Sequence, residues 1–591
     1  MPFTPLNEIL GKERAAHLLR RTSFGASVKE IDAFALLTPT QAFAQLYDDQ
    51  LPEAPLPIDL ATGTEWITTG TTDANSESFI LGRHINAWQI GQILAAGVSE
   101  DKRLAYSFRE RLVFFLHTHF TTKQSISGNN RGIYYQSALF RKYAFDRDDW
   151  TRPNEEDPSL PDEIIPVNFL KLTNKLCVDN AMLVFLDGRL NVKGSPNENF
   201  ARELLELYVI GRGLEGIVPA SGTDGDYFNY TEQDVQEGAR VLSGFDVDGT
   251  FSNIDEDTGL PRGVIKGGTI ASAHDNGVKT LSERFDSSTI QPTAELTQNG
   301  SPTEESLLDE ISQLLDIVYA KNETALHICR KLYRFFVYHD ISESVQSGII
   351  QDMADIFRAN EFKLYPVLEA LFTSREFYEG GAGYEDDAFG SIIKSPLDLV
   401  AGLVKNFEIE VPDYTSWSAF YNFHQSILNH VSNMGMDFYE PFEVAGYPAY
   451  HQFPIYNRSW ITTNYLTQRY DYIARAFEDG IAIGSDKIDI YDLVKTNIDN
   501  ATARDAKALV IALTKNFLPV SGVVSFDDPA TSELTEERLN YFLTTFLGDI
   551  DVDPEASWTF RWDNEDDVET MTMQLVNLMN ALLQSPEYQL M

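Results

Sequence analysis

Pro196 to Leu207 reads PNENFARELLEL, a short segment in which Glu198, Arg202, Glu203 and Glu206 stand among helix-forming residues. On a 3.6-residue period Asn199, Glu203 and Glu206 share one face, and Phe200, Leu204, Leu207 and Tyr208 form an apolar stripe beside it. Pro196 and Asn197 suit a helix start. Glu203 and Glu206 are neighbours that repel mildly, while Arg202, four residues from both Glu198 and Glu206, is placed to neutralise either. Taken alone, the segment is explained by a solvated acidic face with an ion-pair ladder. The sharper reading is a carboxylate wall of a functional site.

The same periodicity recurs outward from this helix. Ile9 to Arg21, Ser78 to Ala96, Leu104 to Thr118, Phe200 to Ile210, Glu232 to Leu242, Ser306 to Val318, Thr324 to Tyr338, Val345 to Ala359, Leu364 to Thr373 and Ser395 to Asn406 all carry helical spacing or an apolar face. Strand signals are few: Gly263 to Ile270 suggests a short hairpin arm, and Gly480 to Tyr491 is ambiguous. The expected fold is mainly α, a large multi-helix domain with long ordered loops and at most a few short strands. Phe438 to Tyr465, rich in aromatics and interrupted by prolines 441, 448 and 454, reads as an ordered loop wrapped on the core. ALFTSREF (370–377) and ALLQSPEY (581–588) share a serine-led helix exit, which predicts that the last helix is packed rather than a tail.

With 591 residues, 43% of them hydrophobic, the chain can bury a large core. Its 89 acidic against 46 basic residues give a net charge of -43, which opposes binding to nucleic acid or to an anionic membrane surface. That charge suits a basic partner, divalent cations or salty surroundings. Cys177 and Cys329 are the only cysteines, too few for a zinc ribbon or a disulfide framework, although one long-range bridge is open to them. No run of apolar residues is long enough to span a membrane, and the first residues lack the pattern of a secretory signal. Phosphate-binding glycine loops, the nucleophile elbow and H-E-x-x-H are also missing.

Three further segments carry candidate chemistry. LVFFLHTHF (112–120) ends an apolar helix with His117 and His119, whose side chains diverge in a continuous helix but converge if the helix stops there, as Thr121, Thr122 and Lys123 suggest. An H-x-H pair is a metal signal of moderate strength, matched by the reading of two structural histidines. AHDNGVK (273–279) offers His274 and Asp275 as ligands, or Asp275 as the acceptor that orients an imidazole; a turn closed by Asp275 and Asn276 is the plainer account. In YTEQDVQEGARVLSG (230–244), Thr231 and Asp234 have capping-box spacing, and Arg240 can pair with Glu237. The acidic loop DVDGTFSNIDEDT, including Asp246 to Asp257, tempts a calcium reading, but its glycine is misplaced for an EF-hand and a solvated loop is favoured.

HLLRRTSFGAS, ERLVFFLHTHFTT, NENFARELLELYVIG, YTEQDVQEGARVLSG, HDNGVKT, ICRKLYRFFV, LEALFTSREFY and YEPFEVAGYPAY followed by NRSW together resemble the bacterial domain-of-unknown-function family 1800. Leu116, Phe245 and Tyr447 stand where that family often has tryptophan. The resemblance implies one large helical domain over residues 1–591, with insertions near 50–78, 145–165, 246–300 and 410–465 and the helices of 500–591 packed on the same body. It also implies an exported bacterial protein, periplasmic or extracellular, often encoded beside a family numbered 1501, which is a candidate partner. It transfers no reaction.

Two functional expectations follow. In the first, His117, His119, Glu203, Glu206 and His274 bind zinc, manganese or iron, with Glu203, Glu206 and Asp275 as catalytic groups of a metal-dependent enzyme, hydrolysis favoured over oxidation. A metal-free variant uses two glutamates as acid and base on a glycosidic bond, with Glu198 or Asp275 opposite Glu203 and Glu206. In the second, the chain is a non-catalytic assembly or binding protein, and the histidines and glutamates form a buried polar network paired by Arg109, Arg202 and Arg240.

Overall fold

The Arg103–His119 helix is buried on nearly every face from Ala105 to His119, as expected of a helix apolar almost all round. Its few charges are paired inside the protein: Arg111 meets Asp398, and Glu110 accepts from Arg141 at 2.7 Å. The helices Gly11–Thr22, Pro39–Leu46, Phe79–Ile93, Asn130–Ala144 and Asn322–Phe336 pack around it. This computed structural model describes residues 3–591 except 49, 73–76, 155–160, 219–220, 380–391, 521, 529 and 549–551. Residues 73–76 and 155–160, within two of the expected insertions, thus lie outside the described residues.

The fold is mainly helical at 56%, well above the roughly one-third of ordinary globular proteins. All ten expected helices are present, with ends shifted by a few residues. Two of them contain π-helical turns: Asn199–Glu203 continues as Leu204–Val209, and Gln346–Ile350 interrupts the second. Among the described residues, strands form only four two-stranded antiparallel ribbons. The Gly263 to Ile270 arm does not fold on itself; Val264–Ile265 pairs with Phe245–Asp246. The ambiguous Gly480 to Tyr491 is irregular until the Ile490–Asn497 helix begins. Phe438 to Tyr465 is mostly loop, with short helical turns at Pro448–His451 and Tyr456–Ile461.

The main core is one contiguous cluster running from Leu6 to Tyr588. A smaller cluster, including Trp88, Tyr134, Phe251 and Phe420, lies where the Phe79–Ile93 and Trp417–Asn433 helices cross. Gly91 makes that crossing possible, because a Cβ there would sit 2.1 Å from the Phe420 ring. The last residues are tied down: Lys394 Nζ donates to Tyr588 O at 2.7 Å, Arg469 Nε donates to Gln589, and Ile393 bridges Leu590. Both serine-led exits work alike, since Ser374 Oγ and Ser585 Oγ each accept the N–H three residues on. Cys177 and Cys329 are buried and unbridged. No helix among the described residues is long and apolar enough to cross a membrane.

Candidate functional site

The helix that follows Pro196 passes from an α-turn, Asn199–Glu203, into a π-turn, Leu204–Val209. A π-turn replaces the i→i+4 pairing with i→i+5, and such turns concentrate at functional sites. Here it turns carbonyls toward side chains of two other helices. His119 Nε2 lies 2.8 Å from Tyr208 O, His327 Nε2 lies 3.0 Å from Leu207 O, and Lys331 Nζ donates to Leu207 O at 2.6 Å. His327 and Lys331 are four residues apart on the Asn322–Phe336 helix, so one face presents both. Gly211, at φ +63°, closes the segment, and a Cβ there would lie 2.3 Å from the His327 ring. Burial holds the His119 and His327 imidazoles well below their usual range, and burial pushes the Lys331 ammonium down to about 7.

The π-turn also redirects the carboxylates. Arg202 pairs with Glu198 at 3.1 Å and with Glu232 at 2.6 Å, but not with Glu206. The extra residue in the turn rotates Glu206 away from the i+4 position that a regular helix would give it. Glu206 accepts instead from Arg212 at 2.6 Å and from Tyr230 Oη at 3.0 Å. Among the described residues Glu203 has no hydrogen-bond or ion-pair partner. Burial, reinforced by the charge of Glu206, raises its carboxyl to about 7.

His274 belongs to a different neighbourhood. Its Nδ1 is 2.8 Å from Ser243 O, and its Nε2 is 3.3 Å from Glu310, which also pairs with Lys279. All three side chains are fully buried. Asp275 does not orient an imidazole: it accepts from Arg240 Nε at 2.8 Å and from Gly277 N at 3.0 Å, and Arg240 lowers its carboxyl to about 2. Arg240 also holds Glu237, as its spacing suggested. The Thr231 cap forms too, with Thr231 N donating to Asp234, and Asp234 additionally accepts from Ser282.

His117 and His119 do not converge, although the helix ends at His119 as anticipated. The His117 ring stacks on Tyr439 with centroids 4.1 Å apart and meets Tyr447 edge-on, while His119 turns to the π-segment. Both His117 ring nitrogens are buried without a hydrogen-bond partner, and burial pushes this imidazole down to about 3.

The five expected ligands therefore divide among three places: His117 under Tyr439, His119 with Glu203 and Glu206 around the π-turn, and His274 with Glu310. Among the described residues no three histidines, cysteines or carboxylates are grouped so as to hold a metal ion. The residues present do not fit a single zinc, manganese or iron centre in this arrangement. In the acidic loop, Asp248 accepts backbone N–H groups from Thr250, Ser252 and Asn253, and Lys175 pairs with Asp255 and Asp257. Its oxygens are spent on the loop's own structure rather than directed at a calcium ion.

Sequence reasoning missed His327, Lys331, Lys279 and Glu310. The i, i+4 spacing of His327 and Lys331 was the available signal for one pair; Lys279 and Glu310, far apart in the chain, left none. No curated protein matches the chain. No solved structure matches it either. A family model does match, over residues 17–590, and by that match the chain belongs to the protein family of unknown function DUF1800.

Proposed function

We propose that the chain is a non-catalytic binding or assembly protein, in which the histidine and glutamate segments are the internal frame and the work is done at the surface. The observation that supports this reading is the capping of the π-turn: His119, His327 and Lys331 each spend a polar atom on its carbonyls. Buried backbone groups demand partners, and here they receive them from the residues that otherwise suggest chemistry. The net charge of -43 favours a partner with a basic face, with association weakening as salt rises. A family-1501 protein is the partner that the resemblance suggests, and an exported location accords with it.

Elemental analysis of protein purified without added metal tests this reading together with His119→Ala. The frame reading expects no near-stoichiometric transition metal, and a loss of about 1–3 kcal/mol in stability from the unpaired carbonyl. Stoichiometric metal that disappears in His119→Ala, with unchanged stability, overturns it.

One observation favours a second reading. Glu203, without a partner and raised to about 7, exchanges its proton near neutrality, which general acid–base hydrolysis requires. A hydrolase of that kind loses activity in Glu203→Gln with its fold intact, and a pH–rate profile governed by a group near 7 is its signature.

A further inference from the structure

An open groove of about 1110 Å³ lies between the start of the Phe79–Ile93 helix, the 123–130 turn, the second half of the Trp417–Asn433 helix and the loop from 435 to 448. Three of the segments that carry the family resemblance end on it: the residues after HTHFTT, YEPFEVAGYPAY and NRSW. The pieces are knit together. Gln124 N donates to Tyr439 O at 3.0 Å, and the Glu440 carboxylate accepts from Ser125 N and Ser125 Oγ. Gly435 lets the Tyr465 ring lie against the backbone, since a Cβ there would be 2.5 Å from it.

The lining combines two features. The first is a chain of side-chain amides along the floor. Asn86 Nδ2 donates to Gln124 Oε1 at 3.0 Å, Gln124 Nε2 donates to Asn130 Oδ1 at 3.0 Å, and Asn130 Nδ2 donates to Ser78 O. Gly82 leaves room for these amides, because a Cβ there would come within 3.0 Å of Asn130 Oδ1. The chain ends without a partner: Asn86 Oδ1 is buried and accepts nothing, and Ser459 Oγ, also on the groove, is buried and unpaired. Buried polar atoms of this kind call for a ligand or water. The second feature is aromatic. Phe79 and Phe442, 78% and 82% exposed, line the groove together with Tyr465 and the buried Trp460.

We propose that this groove binds a neutral glycan chain. The inference rests on the binding reading above and adds to its basic partner a second, uncharged ligand. A sugar ring presents a C–H face that packs on an exposed aromatic ring and a rim of hydroxyls that both donate and accept, which matches Phe79 and Phe442 in one groove with the amides of Gln425 and Asn429. Charge points the same way. Arg83 and Lys123 nearly balance Glu77, Asp437 and Glu440 in the groove, although the chain as a whole carries -43. A charged polymer would find no complementary field there. The walls are helix faces and a loop, so no strand edge is offered to an extended peptide, and the amide floor does not suit the apolar face of an amphipathic helix.

Affinity electrophoresis of the full chain tests this, in gels containing hydroxyethylcellulose, xylan, mixed-linkage β-glucan, galactomannan or starch, with carboxymethylcellulose and oligoproline as contrasts. At least one neutral polysaccharide is expected to retard the protein, and Phe442→Ala to weaken that retardation about tenfold. Phe442 is so exposed that its loss leaves the fold intact, which a thermal melt verifies; Asn429, exposed on the Trp417–Asn433 helix where it lines the groove and accepts from Arg83 at 3.3 Å, gives the second variant, Asn429→Ala. The proposal is overturned if no neutral polysaccharide retards the protein, or if both variants and Phe79→Ala behave as wild type. Retardation by carboxymethylcellulose or oligoproline alone, lost in Phe442→Ala, overturns the glycan assignment and leaves the binding reading standing. Stoichiometric metal that disappears in His119→Ala with unchanged stability removes the binding reading and this assignment with it, whereas absence of retardation in metal-free protein removes the glycan assignment alone.

Discussion

Replacing Glu203 by glutamine keeps the shape of the side chain and removes its charge, and the structure predicts that this stabilises the protein above pH 7. Had Arg202 faced Glu203, the same change would strip a buried cation of its partner. Arg202 is instead occupied by Glu198 and Glu232, and at Glu203 burial and the like charge of Glu206 outweigh the attraction of Arg202 and Arg212. Its carboxyl rises from an ordinary 4.5 to about 7, and at about 1.4 kcal/mol per tenfold this corresponds to about 3.4 kcal/mol. The group is only partly buried, and screening reduces the figure to roughly 1.5–2 kcal/mol. The sign follows from proton binding. Between pH 4.5 and 7 the folded protein holds a proton that the unfolded chain has released, so stability falls as pH rises through this window and is flat above it. Glutamine does not titrate, so the variant gains the full amount at pH 8 and little at pH 4.5. Urea melts of both proteins at pH 8, 6 and 4.5 measure it. A variant less stable than wild type at pH 8 would refute the reasoning and show that the charge of Glu203 is held by a cation or metal.

Three further outcomes are expected. Gly91→Ala drives a Cβ into the Phe420 ring and should cost about 1–3 kcal/mol by overpacking, read from denaturant midpoints; a neutral result would mean that the two helices do not cross as described. His117→Phe removes a buried imidazole held near 3; because the unfolded histidine takes up a proton below 6.5, the variant should gain about 2 kcal/mol relative to wild type between pH 7 and pH 5, and a pH-independent difference would show that His117 has a partner. Burial pushes the Cys177 thiol up to about 12 and that of Cys329 higher still. Both should therefore resist a thiol reagent such as Ellman's in the native protein and react on unfolding; reaction in the folded state would refute their burial.

The helices were legible because the 3.6-residue apolar period is written in each of them separately, and burial of one face suffices to select helix over strand. The π-turn was not: it buries Leu204, Leu205, Tyr208 and Val209 and leaves Leu207 only partly covered, a choice that the spacing of so leucine-rich a segment does not reveal. The wider turn takes Glu206 off the face of Arg202, so the Arg202–Glu206 pair was a reasonable expectation and Arg212–Glu206 is the contact made. The same logic separates the two histidines of H-x-H. Their spacing limited them to diverging along the helix or converging past its end, and the choice was made by Tyr439 and Tyr208, which lie in segments too distant for any local pattern to register. The groove was still less visible: Asn86, Gln124, Asn130 and Ser459 are ordinary surface residues in sequence, and only the meeting of four segments leaves two of their polar atoms buried and unpaired. Carboxylates and imidazoles draw attention in a sequence because they can do chemistry. In this fold Glu206, His119 and His274 have protein partners, and the groove's unmatched hydrogen-bonding capacity resides in a neutral amide and a hydroxyl beside exposed aromatic rings. That distribution favours recognition of a neutral, hydroxyl-rich surface over activation of a bond.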